Sequence, residues 1–224
     1  MATQLDLQEQ EQLDALKAFW KEHGNLVTWV LVLVLGAFAA WNGWNWWQRE
    51  QAAKAGAMFD ALEQAVQAGD ADRAGRVFAD LKDRFPRTAF AEQGAFQAAK
   101  LQFEKGQRDA AKASLSWAAE NAAEDEMRTV ARLRLAALLA DAKQYDEALK
   151  QLDAAKAAGF EALVADRRGD LLSAAGRKDE ARAAYESAWK TMDEKLEMRR
   201  LLEAKLTALG APPAASAPAS GAAR

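Results

Sequence analysis

The sequence predicts an all-α protein in which a single N-terminal transmembrane helix is followed by an α-solenoid of helix pairs and a C-terminal capping helix. Three observations lead to this prediction. An apolar run extends from Leu26 to Trp47, and no Asp, Glu, Lys or Arg lies between His23 and Arg49. Downstream, one pattern recurs four times at a spacing typical of stacked helix pairs. Strong helix formers dominate throughout, and Pro86 is the only proline before the C-terminal tail.

The apolar run is long enough to cross a bilayer as a helix. At about 1.5 Å per residue, residues 26–47 span roughly 33 Å, against a hydrocarbon core of about 30 Å. A helix also pairs its backbone polar groups internally, which lipid requires. Four tryptophans collect at the C-terminal end of the run, where their amphipathic rings suit the headgroup region: Trp41, Trp44, Trp46 and Trp47. We assign the transmembrane helix to residues 24–48.

The leader, residues 1–23, either forms a short amphipathic helix or stays solvated until it reaches the bilayer. A cleaved signal peptide is the alternative, because Ala37, Phe38 and Ala39 have the small-x-small form of a cleavage site. The leader is long and carries five acidic residues, however, whereas a signal n-region is short and basic. Basic residues flank the run almost equally, so the orientation is decided by the N-terminal amine and by a leader that is short beside the large downstream domain. We predict an uncleaved anchor with a cytoplasmic N-terminus.

Three small residues, Gly36, Ala40 and Gly43, fall on one face of the predicted transmembrane helix. Small residues let a second helix approach closely, so this face is a candidate contact with other membrane helices. The alternative is that glycine is simply frequent in membrane helices.

Four turn segments share one pattern: Gly or Lys, then polar residues that include an Asp, then Ala. They are residues 69–74, 106–111, 143–148 and 176–181, and their final alanines are spaced by 37, 37 and 33 residues. An apolar-periodic helix precedes each segment. A large apolar residue follows each aligned alanine by four positions: Phe78, Leu115, Leu152 and Tyr185.

This pattern predicts a helix, a tight turn and a second helix in each unit. Gly allows the turn conformation, and Asp is expected to cap the second helix. The small Ala lets the two helices approach, and the large residue fills the space between units. Because one unit cannot bury its apolar face alone, we expect the units to stack.

The repeated units resemble the tetratricopeptide repeat family. The third unit matches its pattern best, through Tyr145, Ala148 and Leu152, and the first unit ends with Pro86, where the family places a proline. The first two units lack the early tyrosine or tryptophan of that pattern. The resemblance implies about four tetratricopeptide-like helix pairs within residues 49–209.

An amphipathic helix from Thr191 to Leu209 is expected to cover the open end of the solenoid. Its predicted packing residues are Leu196, Leu201, Leu202, Leu206 and Leu209, and its predicted solvent-facing residues are Glu194, Lys195, Glu197, Arg199 and Arg200. Residues 210–224 are rich in Ala, Ser and Pro and are predicted to be a disordered tail.

Composition and charge exclude several function classes. The 224 residues carry 30 Lys and Arg against 33 Asp and Glu, without the basic excess that a nucleic-acid binder needs. There is no cysteine, and the single histidine, His23, lies beside the apolar run. Thiolate metal sites and Ser-His-Asp catalysis are therefore excluded from the downstream part. Glu124 and Glu126 could be proposed as an acid–base pair, but solvated carboxylates on a helix are the better interpretation. We predict no cofactor, no metal and no small-molecule substrate.

A protein-binding face remains as the candidate function of the repeats. The first helix of each unit is expected to line a groove that seats an extended or helical peptide. The predicted groove residues are Phe59, Val66, Phe96, Lys100, Phe103 and Leu133. The alternative is that some of the phenylalanines belong to the core.

The whole arrangement resembles the ancillary SecYEG translocon subunit family (YfgM-type) of Gram-negative bacteria. The resemblance rests on the leader ending at Trp20, on Gly24-Asn25, on the Trp-rich exit ending at Gln48-Arg49, and on Phe85-Pro86 with Ala89 and Ala91. It implies a bacterial inner-membrane protein with a periplasmic repeat domain. It also implies association with the SecYEG translocon and with a PpiD-type, prolyl-isomerase-like periplasmic chaperone, and a leader that contacts a cytoplasmic stress-response regulator. The implied role is non-enzymatic: secreted chains are passed to chaperones.

Two other classes stay open. One is a generic inner-membrane scaffold for another envelope complex, with the same fold. The other is a membrane-bound enzyme or an enzyme subunit, which the absence of His and Cys from the downstream part disfavours.

Overall fold

The computed structural model describes residues 7–193 and 197–212, in which every regular element is an α-helix. Predictions made for residues 1–6, 194–196 and 213–224 lie outside the described residues. By its internal contacts the chain divides into two units, Met1–Ala53 and Lys54–Arg224. The helices are α1 (Leu7–Gln67), α2 (Ala71–Arg84), α3 (Ala89–Glu104), α4 (Arg108–Asn121), α5 (Asp125–Asp141), α6 (Tyr145–Ala154), α7 (Glu161–Ala174), α8 (Lys178–Thr191) and α9 (Met198–Ala208).

The predicted membrane segment is helical in the N-terminal unit. It lies within α1, which is long and apolar enough to cross a membrane, and its apolar side chains are largely exposed. Leu33 is 68% exposed and Trp41 is 67% exposed. A Cβ added at Gly36 or Gly43 would meet nothing within 4 Å. The small-residue face is therefore open, and its role stays a prediction.

The second unit consists of helix pairs. The C-terminal part of α1 shares one buried cluster with α2, and the later pairs are α3 with α4, α5 with α6, and α7 with α8. The aligned alanines are fully buried, and the large residues four positions later are at most 5% exposed, as predicted: Ala74, Ala111, Ala148 and Ala181, then Phe78, Leu115, Leu152 and Tyr185. Burial of these apolar groups is the main stabilising term of the stack.

In the fourth pair a glycine on one helix lies directly against a large ring on the other. A Cβ added at Gly169 of α7 would lie 2.3 Å from Cε1 of Tyr185 in α8. Twelve residues before the aligned alanine, the second and third units carry Ala99 and Ala136 instead, and there the facing large residue is a leucine. The missing methyl group at Gly169 therefore makes room for the Tyr185 ring.

Each turn between paired helices contains one residue in the left-handed region. Its φ is 67° at Gly69, 78° at Gly106, 59° at Lys143 and 78° at Gly176. The predicted role of glycine in the turns is confirmed, and the third unit adopts the same conformation with a lysine.

We expect Lys143→Gly to raise the free energy of unfolding by up to about 1 kcal/mol. A side chain in the left-handed region costs roughly 1–2 kcal/mol, part of which is offset by the greater freedom of glycine in the unfolded chain. Urea denaturation followed by circular dichroism measures the change. Lys150→Gly, inside α6, is the opposite control and should lower stability by about 1 kcal/mol. If Lys143→Gly is no more stable than wild type, the left-handed conformation of Lys143 is not strained.

The prediction that an aspartate caps each second helix is wrong for three of the four pairs. Among the second helices of the described pairs, only α2 has a side-chain cap, in which Asp70 accepts a hydrogen bond from the Arg73 amide at 2.9 Å. In the other three second helices the aspartate lies inside the first turn, where its negative charge interacts favourably with the positive end of the helix dipole. Two first-turn aspartates also contact the next turn: the Asp72 carboxylate accepts from Gln107 at 2.6 Å, and Asp146 lies 3.6 Å from Arg177.

The capping helix is shorter than the predicted Thr191–Leu209 segment. Met192 has an extended backbone (ψ 132°) that ends α8, and α9 begins at Met198. Leu202 and Leu206 are each 1% exposed and Leu209 packs on the core, as predicted. Leu201 is 56% exposed, so its predicted packing is wrong. Leu196, Glu194 and Lys195 lie outside the described residues.

Of the predicted solvent-facing residues that the structure describes in this segment, two are exposed and one is half-buried. Glu197 and Arg200 are exposed, as predicted. Arg199 is half-buried, because its guanidinium lies 3.9 Å from the Trp189 ring centre and donates to the Met192 carbonyl at 2.6 Å.

Buried charges join α9 to the last helix pair. Lys205 Nζ lies 2.7 Å from Asp166 Oδ1 and 2.6 Å from Asp170 Oδ1. The Tyr185 hydroxyl donates to Asp170 at 2.8 Å. The Asp166 side chain is only 4% exposed and that of Lys205 only 19%. One ammonium group on α9 therefore forms ion pairs with two carboxylates on α7.

We expect Tyr185 to ionise only when the fold opens. Burial, followed by its hydrogen bond to Asp170 and the charges of Asp170 and Asp166, raises the pKa of Tyr185 far above its ordinary range. Because the folded pKa exceeds the unfolded value of about 10, this contribution to stability is complete below about pH 10 and is lost as the pH rises further. Tyr145→Phe leaves Tyr185 as the sole tyrosine, whose ultraviolet titration should coincide with loss of helical circular dichroism. Titration near pH 10 with intact helices would contradict this.

Candidate protein-binding groove

An open groove of about 430 Å³ lies among α3, α4 and α5. Its volume is in the range of natural ligand pockets, which is about 300–1,000 Å³. The lining residues are Phe96, Ala99, Lys100, Phe103, Leu115, Arg134, Ala137, Leu138 and Asp141. We call this feature the groove.

Two pairs of residues frame the groove, each with a spacing of seven. Phe96 and Phe103 lie on α3, and Arg134 and Asp141 lie on α5. Seven residues are two helical turns, or about 10 Å, so each pair presents its members on one face. The Arg134 guanidinium lies 4.8 Å from the Phe96 ring centre, which brings these two walls together at one end.

The floor of the groove is apolar and belongs to the core. Ala99 is 3% exposed, Leu115 5% and Leu138 7%, and all three belong to one buried cluster. Ala137 is exposed, and its counterpart 37 residues earlier is Lys100. The small side chain at Ala137 thus leaves open a space that a larger residue would occupy.

The two ends of the groove differ in whether their basic side chains form ion pairs. At one end Arg108 lies 4.0 Å from Asp141 and 5.3 Å from the Phe103 ring centre. On the α3 wall, Lys100 pairs with Glu104 at 3.9 Å. At the other end, no described carboxylate forms an ion pair with Arg134. The arginine at that end keeps its edge N–H groups available while its face covers Phe96.

Three of the six predicted groove residues line the groove: Phe96, Lys100 and Phe103. Phe59 does not, because it is only 7% exposed and its ring packs against Phe90 of α3 at 5.5 Å between ring centres. The prediction that Phe59 lies on an open face is therefore wrong.

Val66 and Leu133 are half-buried, pack against the core clusters and do not line the groove. On α5 the groove instead uses Arg134 and Ala137, which sequence reasoning missed. The 37-residue spacing makes Ala137 the counterpart of Lys100, but it makes Leu133 the counterpart of Phe96 and so gives no signal for Arg134.

The part of the chain that the structure describes contains no cluster of three or more His, Cys, Asp or Glu residues arranged to hold a metal ion. Glu124 and Glu126 are both exposed, at the N-terminus of α5.

Comparison with known proteins gives the family. The model of the tetratricopeptide repeat-like domain matches residues 17–211. A protein of Neisseria gonorrhoeae is 28% identical, over 91% of this chain and 98% of its own length. Proteins of Escherichia coli and Haemophilus influenzae are each 30% identical, over 82% and 81% of this chain and 88% and 89% of their own lengths.

All three relatives carry the name ancillary SecYEG translocon subunit. The family model extends over both the apolar helix and the helix pairs, so it concerns the whole arrangement and not the repeats alone. The chain belongs to the family of ancillary SecYEG translocon subunits, with a tetratricopeptide repeat-like domain.

Proposed function

We propose that this protein is a non-enzymatic adaptor anchored in the bacterial inner membrane at the SecYEG translocon, which binds partner proteins through the groove. The observation that carries the proposal is the open apolar groove of about 430 Å³ in a chain of this family. Its floor is core-like, yet Phe103 at its edge is 39% exposed. Exposed aromatic side chains beside a concavity are typical of protein-binding surfaces.

The anchor gives this adaptor its location. Residues 24–48 cross the membrane, the leader of residues 1–23 lies in the cytoplasm, and the repeat domain lies in the periplasm. There the groove contacts a PpiD-type chaperone and assists the passage of secreted chains from the translocon to it. The leader contacts a stress-response regulator. The open face of Gly36, Ala40 and Gly43 contacts membrane helices of the translocon.

Site-specific photo-crosslinking tests the partner assignment. A photoreactive residue replaces Phe103 in the full chain in cells, and the matched control replaces Glu186, which is exposed on α8. We expect a product with a translocon subunit or a PpiD-type chaperone from Phe103 and not from Glu186. Products with subunits of another envelope complex alone would favour the generic scaffold, and equal products at both positions would exclude the groove.

A fusion tests the orientation. A reporter active only in the cytoplasm, attached after Arg224, should be inactive, whereas the same reporter before Met1 should be active. Activity of the Arg224 fusion would overturn the periplasmic location and the chaperone contact with it.

A further inference from the structure

We infer that the groove binds an apolar peptide segment that carries a carboxylate, and that this carboxylate pairs with Arg134. The inference rests on the proposed function, because it specifies the peptide that the groove selects. It follows from the distribution of charge around the apolar floor of the groove.

The two ends of the groove present different chemistry to a ligand. At the Phe103 end, the positive charge of Arg108 is met by Asp141 at 4.0 Å, and Lys100 is met by Glu104 at 3.9 Å. At the Phe96 end, Arg134 has no carboxylate partner among the described residues. The groove therefore offers one uncompensated cation to a bound segment, at one end only.

The environment of Arg134 suits a carboxylate. Its guanidinium lies 4.8 Å from the Phe96 ring centre, and no described residue accepts a hydrogen bond from it. Stacking on the ring reduces the freedom of the side chain, so less conformational entropy is lost when a carboxylate binds. The planar fork of N–H groups then matches the two oxygens of one carboxylate.

The distance between the two ends of the groove sets the size of the apolar part of the bound peptide. Arg134 and Asp141 are seven residues apart on α5, which is about 10 Å along the helix. Ala137 and Leu138 lie between them, opposite the two phenylalanines. A segment with two large apolar side chains beside its acidic residue fills this space. A basic residue in the same place would face Arg134 as a like charge and be rejected.

Binding of three matched peptides tests the inference. The full chain is reconstituted in lipid nanodiscs and titrated into fluorescein-labelled peptides with Leu and Phe about four residues apart. The residue beside this pair is Asp, Asn or Lys, and empty nanodiscs correct for partition into lipid. We expect the Asp peptide to bind about fivefold more tightly than the Asn peptide, with the Lys peptide weakest.

Variants of the groove separate the effect of the Arg134 charge from the effect of filling the groove. Arg134→Gln should abolish the difference between the Asp and Asn peptides, and Arg134→Glu should reverse the order of Asp and Lys. Arg200→Glu, at an exposed position on α9, is the matched charge control and should leave the order unchanged. Ala137→Phe, also at an exposed position, should fill the groove and weaken all three peptides about equally.

The outcomes distinguish the inference from the proposed function. If Ala137→Phe weakens binding but wild type treats the three peptides alike, the groove binds peptides and the carboxylate preference is wrong. If Ala137→Phe has no effect, the groove is not the binding surface and both fail. Tighter binding after removal of residues 213–224, or on dilution of the protein, would assign the groove to the chain's own tail or to a second copy and overturn the inference.

Discussion

Gly169→Ala should lower the free energy of unfolding by about 3 kcal/mol, at the upper end of the range for overpacking. The new Cβ would lie 2.3, 2.4 and 2.8 Å from three carbons of the Tyr185 ring. That ring is only 4% exposed, and its hydroxyl is hydrogen-bonded to Asp170, so it has no free space to enter. The gain of about 1 kcal/mol from replacing a helical glycine by alanine only partly offsets the clash. Chemical denaturation of the full chain measures the loss.

The other repeats supply the control for this substitution. Gly169→Ala combined with Tyr185→Leu recreates the Ala136 and Leu152 pair of the third unit, and should recover much of the stability. Gly169→Ala combined with Tyr185→Phe keeps the clash and should not. Gly56→Ala, where the nearest atom lies at an ordinary 3.4 Å, should not destabilise. Wild-type stability of Gly169→Ala would contradict the close packing of α7 on α8.

Lys205→Met should lower the free energy of unfolding by about 3–5 kcal/mol, because it leaves the buried Asp166 carboxylate without a counter-charge. Methionine keeps the length and apolar stem of lysine, so lost packing contributes little. Asp166→Asn in the Lys205→Met background removes the stranded charge and should recover at least half of the loss.

Lys112→Met is the exposed counterpart of this change. Its ion pair with Glu147 at 3.4 Å is 40% and 55% exposed, and its loss should cost less than about 1 kcal/mol. Added salt should weaken the Lys112 effect further and leave the Lys205 effect nearly unchanged. Equal losses for the two lysines would contradict the buried network. In the Lys205 variant, hydrogen exchange should increase first in α9.

The sequence predicted the features that depend on spacing along one chain. The aligned alanines recur because two helices approach at the same place in each pair, and only a small side chain fits there. The left-handed turns were predicted for the same local reason. Lys143 shows that the geometry of the pair overrides the preference of the residue, since a lysine adopts the glycine conformation.

The features that depend on neighbours from other units were not predicted. Phe59 and Phe96 occupy equivalent positions, yet Phe90, which is outside the repeated pattern, covers Phe59, whereas Arg134 leaves Phe96 half-buried. Burial of equivalent residues thus depends on what the next helix contributes. For the same reason the buried charges at Asp166 and Lys205, which are 39 residues apart, could not be derived from local pattern.

The size match between Gly169 and Tyr185 has a consequence for how the chain avoids misfolding. Similar helix pairs on one chain risk joining in the wrong register, which is a characteristic failure of repeat proteins. A slipped stack that set the tyrosine of the fourth pair against Ala99 or Ala136 would meet a methyl group where its ring requires empty space. A leucine set against Gly169 would leave a void. Each of these mispairings is thus penalised, so the size match favours pairing of the two helices of the fourth unit with each other.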